Sequence, residues 1–134
     1  EDESIVAIGS ERHVVIRDLV KNKKLRQLLL PEQPEPSYVQ SLAFGSGRGD
    51  LLFAGMSDGR LLVYRAGELV AQGKSGGGAI QRIDVSPDDR RVATIGDDAA
   101  VRLWDSTTAS ELASFVDFED GEWAIVSPRG LQPV

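Results

Sequence analysis

Cysteine is absent from this sequence, which removes disulfides, thiolate metal ligands and a cysteine nucleophile at once. Histidine occurs once, at His13, so a catalytic triad or an imidazole-rich metal site would rest on one turn-adjacent residue; His13 reads as a surface side chain at the start of a strand. Positive charge is in deficit: 15 Lys and Arg stand against 21 Asp and Glu, a net charge of -6. A reader of phosphate backbones usually carries the opposite balance as a basic stripe, so no nucleic-acid partner is expected. No apolar run approaches the ~18 residues of a membrane-spanning helix, and Glu1-Asp2-Glu3-Ser4 is the reverse of the basic start of a signal peptide, so no membrane insertion is expected. Position 1 is not methionine, and the sequence is expected to be a segment of a longer chain or a processed product. Helices of three turns are lacking too, because the one helical candidate, Lys24 to Leu30, is stopped by Pro31.

What is there is an ordinary globular composition, 41% apolar and 27% charged, in a chain long enough for one domain that buries roughly 65–70% of its unfolded surface. Residues 91–105 organise it. Arg91-Val92-Ala93-Thr94-Ile95, a Gly96-Asp97-Asp98 turn and Val101-Arg102-Leu103-Trp104-Asp105 read as strand, turn and strand. The pattern recurs without a gap as Ile5 to Asp18 and as Leu52 to Arg65. Its columns agree in chemistry: Ile5, Leu52 and Val92 are apolar, Ala7, Ala54 and Thr94 are small, and Glu11, Asp58 and Asp98 are acidic. Val14, Leu61 and Val101 share another apolar column, as do Ile16, Val63 and Leu103. Spacings of 47 residues (18 to 65) and 40 residues (65 to 105) fall in the range of solenoids, propellers and arrays.

Further strands surround the hairpins. Lys24 to Leu30 follows the first, and Pro31 to Ser37 is a proline-punctuated loop that accounts for the longer first spacing. Tyr38 to Phe44 opens the second unit, Ser57-Asp58-Gly59 is its hairpin turn and Glu68 to Gln72 closes it. Gly73 to Gly78 is a glycine-rich loop. Ala79 to Val85 opens the third unit, Ser86 to Asp89 turns, and Ser110 to Val116 closes it. Gly121 to Gly130 then begins the pattern again, with Val126-Ser127-Pro128 standing 41 residues after Val85-Ser86-Pro87. The expected fold class is all-β and antiparallel.

Val85-Ser86-Pro87-Asp88-Asp89, the Gly96-Asp97-Asp98 turn and Val101-Arg102-Leu103-Trp104-Asp105 together resemble the WD-repeat β-propeller family. The blade of that family is a four-stranded antiparallel sheet, and its namesake dipeptide stands here as Trp104-Asp105. The pair is Tyr64-Arg65 in the second unit and Arg17-Asp18 in the first. The resemblance implies a hydrogen-bonded network through Thr94, Asp98 and Trp104, with Asp105, Asp58 and Tyr64 as structural blade residues. The family's histidine position falls in Ser75 to Gly78 and holds none, so the blades must rely more on apolar packing between sheets.

Twelve strands are expected, three blade equivalents in permuted register: blade 1 at about 4–30 plus a strand from 121–127, blade 2 at about 38–73 and blade 3 at about 79–117. Trp123, Ile125 and Val126 belong to the closing strand. Closed propellers have about four to eight blades, so three leave two apolar sheet faces to be covered. A homodimer forming a six-bladed ring would cover them, and so would further blades of a longer chain.

Several motifs come close to chemistry. Gly67 to Ser75 approaches a phosphate loop, but five residues separate its glycines where the motif has four, and a strand follows in place of a helix. Arg48-Gly49-Asp50 spells an adhesion tripeptide where turn residues are expected on geometric grounds. Asp117 to Glu122 clusters carboxylates without the alternating ligands of a calcium loop. Lys21, Lys23, Lys24 and Arg26 read as a solvated edge that discourages strand addition. No catalytic constellation accompanies the repeats, and no cofactor is expected. The expected function is a non-enzymatic interaction scaffold for a protein partner or a fused domain, with rim contacts at Ser57, Asp58, Gly59, Asp97 and Asp98. The alternative is part of a propeller enzyme with a central-channel carboxylate site built on Asp84 and Asp98. A third reading is purely architectural self-association.

Overall fold

The computed structural model describes residues 5–9, 13–18, 21, 23–31, 37–45, 50–117, 123–127 and 130–133. Among them are thirteen strands and no helix. All pairings are antiparallel, in three sheets. The first is β1 (Ile5–Gly9), β2 (His13–Asp18) and β3 (Lys23–Leu29). The second is β4 (Val39–Phe44), β5 (Leu51–Met56), β6 (Arg60–Arg65) and β7 (Glu68–Lys74). The third runs from β8 (Ile80–Val85) through β9 (Arg91–Gly96), β10 (Val101–Asp105), β11 (Glu111–Asp117) and β12 (Trp123–Ser127) to β13 (Gly130–Pro133).

The second sheet sits in the middle because its central hairpin has no polar face. Leu51-Leu52-Phe53-Ala54-Gly55-Met56 and Leu61-Leu62-Val63-Tyr64 are apolar at both parities, the pattern of a sheet covered on both sides, and every residue of β5 is buried. Alternation sends Leu52, Ala54, Met56, Leu62 and Tyr64 towards Val14, Ile16 and Leu28 of the first sheet. Leu51, Phe53, Leu61 and Val63 face Ile80, Val92 and Trp104 of the third. The inner strands β4 and β8 also meet: the Ser41 hydroxyl donates to the Ile80 carbonyl at 2.7 Å, and Gln40 Nε2 donates to Gln81 Oε1 at 3.1 Å.

Two sequence expectations are corrected. The strand at 123–127 does not lie beside the first hairpin. As β12 it pairs with β11, with Phe115 opposite Ile125 and Ser114 opposite Val126, and β13 pairs with β12 in turn. Only five residues separate β11 from β12, and closing so short a loop costs less chain entropy than carrying the strand back to β1. The sheets therefore hold three, four and six strands in place of four each. Trp123, Ile125 and Val126 are placed by backbone register alone, their side chains lying outside the described residues.

The second correction concerns the first hairpin. Gly9 pairs with Val14 across four intervening residues, whereas Gly55 pairs with Leu61 across five. Loop length sets hairpin register, so β1 is offset by one residue from the gapless alignment. Ala7 consequently faces the second sheet with Val14 and Ile16 instead of occupying the column of Ala54. Glu11 of the acidic column lies outside the described residues.

Close approach between sheets depends on Gly55. A Cβ there would meet Ile80 Cγ2 at 2.6 Å, whereas a Cβ at Gly76 would meet nothing within 4 Å. Gly55→Ala is expected to destabilise the fold by about 1–3 kcal/mol through overpacking. Gly76→Ala should stay within about 0.5 kcal/mol of the parent. Chemical denaturation of the two variants beside the parent checks both.

Candidate functional site

The third hairpin is anchored by a buried polar pair. Trp104 and Thr94 are 0% and 2% exposed, and Trp104 Nε1 donates to Thr94 Oγ1 at 2.9 Å. Strand alternation puts both side chains on the face that meets the second sheet. The counterpart of Trp104 in the second sheet is Tyr64, whose hydroxyl donates to the Leu29 carbonyl at 2.7 Å and so ties β6 to β3. Burial pushes the Tyr64 phenol up to about 12. Each junction between sheets thus holds one large aromatic residue whose polar atom is satisfied.

Asp98 does not join the Thr94–Trp104 pair. Its carboxylate accepts from Arg102 Nη1 at 3.1 Å and Nη2 at 2.8 Å, and from the Ala100 amide at 3.0 Å. The Arg102 guanidinium holds the Asp98 carboxyl below the usual carboxylate range. Glu111 lies 3.8 Å from the same arginine. Asp58 is held similarly, accepting from the Arg60 amide at 3.1 Å and from Arg60 Nε at 3.0 Å. Arg60 Nη1 donates to Gln72, while Arg60 Nη2 is buried without a partner. Asp105 closes the next turn, accepting from the Thr107 and Thr108 amides at 2.8 and 3.4 Å.

The two expected rim turns belong to one surface because the connection between β7 and β8 joins them. The Ser75 amide donates to the Gly59 carbonyl at 3.0 Å, the Asp98 amide to the Gly77 carbonyl at 3.3 Å and the Asp97 amide to the Ala79 carbonyl at 3.1 Å. Asp97 Oδ2 in turn accepts from the Ala79 amide at 3.3 Å. Ser57 fastens the start of the second unit, its hydroxyl accepting from the Tyr38 amide at 3.0 Å. Asp97 and Asp98 are exposed, Ser57 and Asp58 half-buried and Gly59 buried. The partners Arg60, Arg102 and Gln81, whose Nε2 donates to Asp97 Oδ1, stand outside the set of expected site residues. A cation two or four residues after a turn carboxylate was the signal that could have found the arginines.

Elsewhere the near-miss motifs take ordinary places. Most of the phosphate-loop lookalike is strand β7. Arg48 and Gly49 lie outside the described residues, as do residues 118–122 of the acidic run. His13 is half-buried at the start of β2, and Lys21, Lys23, Lys24 and Arg26 are exposed. Asp84 is 71% exposed with its carboxylate 3.9 Å from Arg82 Nε. Among the described residues no group of three or more metal-ligating side chains occurs, and there is no helix long and apolar enough to cross a membrane.

Antiparallel sheets stacked face to face, with inner strands abutting, define a WD-repeat propeller-like fold. The chain is similar to the crystal structure of the C-terminal WD40 domain of Sif2, with a TM-score of 0.74 and 14% sequence identity. The likeness covers 99% of this chain and 45% of that one, so this chain spans less than half of the matched structure's length. Altogether 777 solved chains match, which marks an architecture and not an activity. No protein-family model matches the sequence, and no curated protein does.

Thr94→Val keeps the shape and removes the acceptor, leaving the Trp104 N–H buried and unsatisfied. A loss of about 1–3 kcal/mol is expected, read from urea unfolding followed by tryptophan fluorescence. The Asp98 carboxyl sits below its ordinary value of 3.8, so the stability it contributes is complete above that pH and fades as pH falls through the lower folded-state value. In Asp98→Asn the acid limb of a stability–pH curve should be shallower below about pH 4 and unchanged in slope above it. An Asn variant with the parent's acid limb would remove Asp98 from that role.

Proposed function

We propose that this chain is a non-enzymatic propeller segment that acts as a protein-interaction scaffold, completed by self-association or by further blades. The observation that carries the reading is the continuous rim formed by Ser57-Asp58-Gly59, Ser75 to Ala79 and Asp97-Asp98, braced by backbone hydrogen bonds across two sheets. Backbone bracing of this kind presents loop residues in fixed positions, as binding loops on a rigid scaffold require. A WD40 structural neighbour supports a scaffold type of fold in general terms.

The enzymatic alternative draws no support from its two carboxylates. Asp84 and Asp98 each lie against an arginine of their own sheet, Arg82 and Arg102.

Affinity capture with the parent and with a variant carrying Asp58→Arg and Asp97→Arg tests the rim, with bound proteins quantified by mass spectrometry. Partners are expected to fall at least about tenfold in the variant, corresponding to about 1.4 kcal/mol of lost affinity. Unchanged partner recovery from a folded variant would move the contact surface elsewhere. Hydrolase turnover by the purified protein would favour the enzymatic alternative.

A further inference from the structure

Two sheet faces lie outside both core clusters. On the third sheet, alternation turns Ala93, Ile95, Val101, Leu103 and Ala113 away from the face that carries Trp104. On the first sheet Ile8 and Leu29 are 51% and 72% exposed, with half-buried Val15 between them on the face opposite Val14 and Ile16. Stacking within the chain is head-to-tail. The Val14–Ile16 face of the first sheet meets the Tyr64 face of the second, and the corresponding Leu61–Val63 face of the second meets the Trp104 face of the third. The two free faces are therefore the two complementary kinds.

Glycine at one position narrows what can sit on the third sheet. Gly9 pairs with Val14, Gly55 with Leu61 and Ile95 with Val101, so the three residues occupy equivalent places at the hairpin ends. A Cβ at Gly9 would meet Val39 Cβ at 2.8 Å, and one at Gly55 would meet Ile80 Cγ2 at 2.6 Å; Val39 and Ile80 belong to the inner strands of the following sheet. Ile95 fills that space at the third sheet, and a sheet with such an inner strand does not seat there in the same way. Among the described residues the first sheet has none, β1 being the counterpart of β5 and β9. Charge agrees with shape. Residues 5–31 hold six Lys or Arg and two acidic residues, net +4, whereas residues 79–117 hold four Arg and eight acidic residues, net -4. Opposite units attract on approach.

We infer that a second copy of this chain docks its first sheet on the outer face of the third, Ile8, Val15 and Leu29 of one copy covering Ile95, Val101 and Leu103 of the other. The same contact made twice about a two-fold axis closes six sheets into a ring, within the about four to eight of closed propellers. This deepens the scaffold reading by naming the partner of the open faces, and it leaves the rim free.

Sedimentation velocity on the parent chain, with Ile95→Asp and Leu29→Asp variants, tests it. Each substitution falls on a partly or largely exposed side chain, so tryptophan fluorescence and far-UV circular dichroism should match the parent. The parent is expected to sediment as a dimer of a 14.5 kDa chain, with weaker association as salt rises. Each variant alone should dimerise at least about tenfold more weakly. Mixing the two should recover association, because the Ile95→Asp copy offers an intact first sheet and the Leu29→Asp copy an intact third. Ile95→Gly should also weaken the dimer. A folded monomeric parent, a dimer indifferent to both Asp variants, or a mixture no stronger than its components would overturn the proposal. None of these outcomes touches the rim residues, so the scaffold reading is tested separately by the Asp58 and Asp97 charge reversals.

Discussion

A hairpin that is apolar on both sides cannot form the end of a stack. Leu51 to Met56 and Leu61 to Tyr64 leave no side to face water, and each fully buried Leu, Val or Phe in the pair is worth about 1.5–3 kcal/mol relative to exposure. That constraint places the second sheet in the middle and fixes which faces of its neighbours point inward. It also explains why the polar atoms at both junctions are answered. Tyr64 and Trp104 enter the packed layers with one hydrogen-bonding group each, and the Leu29 carbonyl and Thr94 hydroxyl receive them. In a layer this dry an unanswered donor would cost as much as the apolar contact around it gains.

The acidic residues at the hairpin tips are held in place by their own turns and strands. Asp58 and Asp98 spend their charge on Arg60 and Arg102 of the following strands. Asp88 is bound by the Ser86 hydroxyl at 2.6 Å and the Arg90 amide at 3.0 Å, which hold its carboxyl below the usual range. The tips are therefore stiff turns more than free anions. The Arg60 and Arg102 side chains are only 13% exposed, so these pairs restrict the geometries a loop can visit.

The first eleven strands and their order could be read from sequence, because β-branched alternation and turn chemistry are local signals. The one-residue offset of β1 could not. Ile5, Val6, Ala7 and Ile8 are apolar at both parities, so nothing in their pattern says which side faces the core, and only the shorter span between Gly9 and Val14 decides it. The pairing of β12 was hidden for a related reason. Its resemblance to Ala79 to Val85 suggests the role of an inner strand, whereas its nearness to β11 governs where its backbone is satisfied. At the rim, Asp98 was assigned to Trp104 and Thr94 by resemblance, but Arg102 on the neighbouring strand offers two charged donors against one hydroxyl.

Glycine spacing has a mechanical consequence at the junction of the second and third sheets. Gly55 on β5 lies against Ile80, and Gly73 on β7 lies against Trp104 and the Ala109 carbonyl, so the two sheets come together at glycine on two different strands. A larger side chain at either position would pry the sheets apart along that strand and tilt one against the other, and a tilt at one junction is carried to every sheet beyond it.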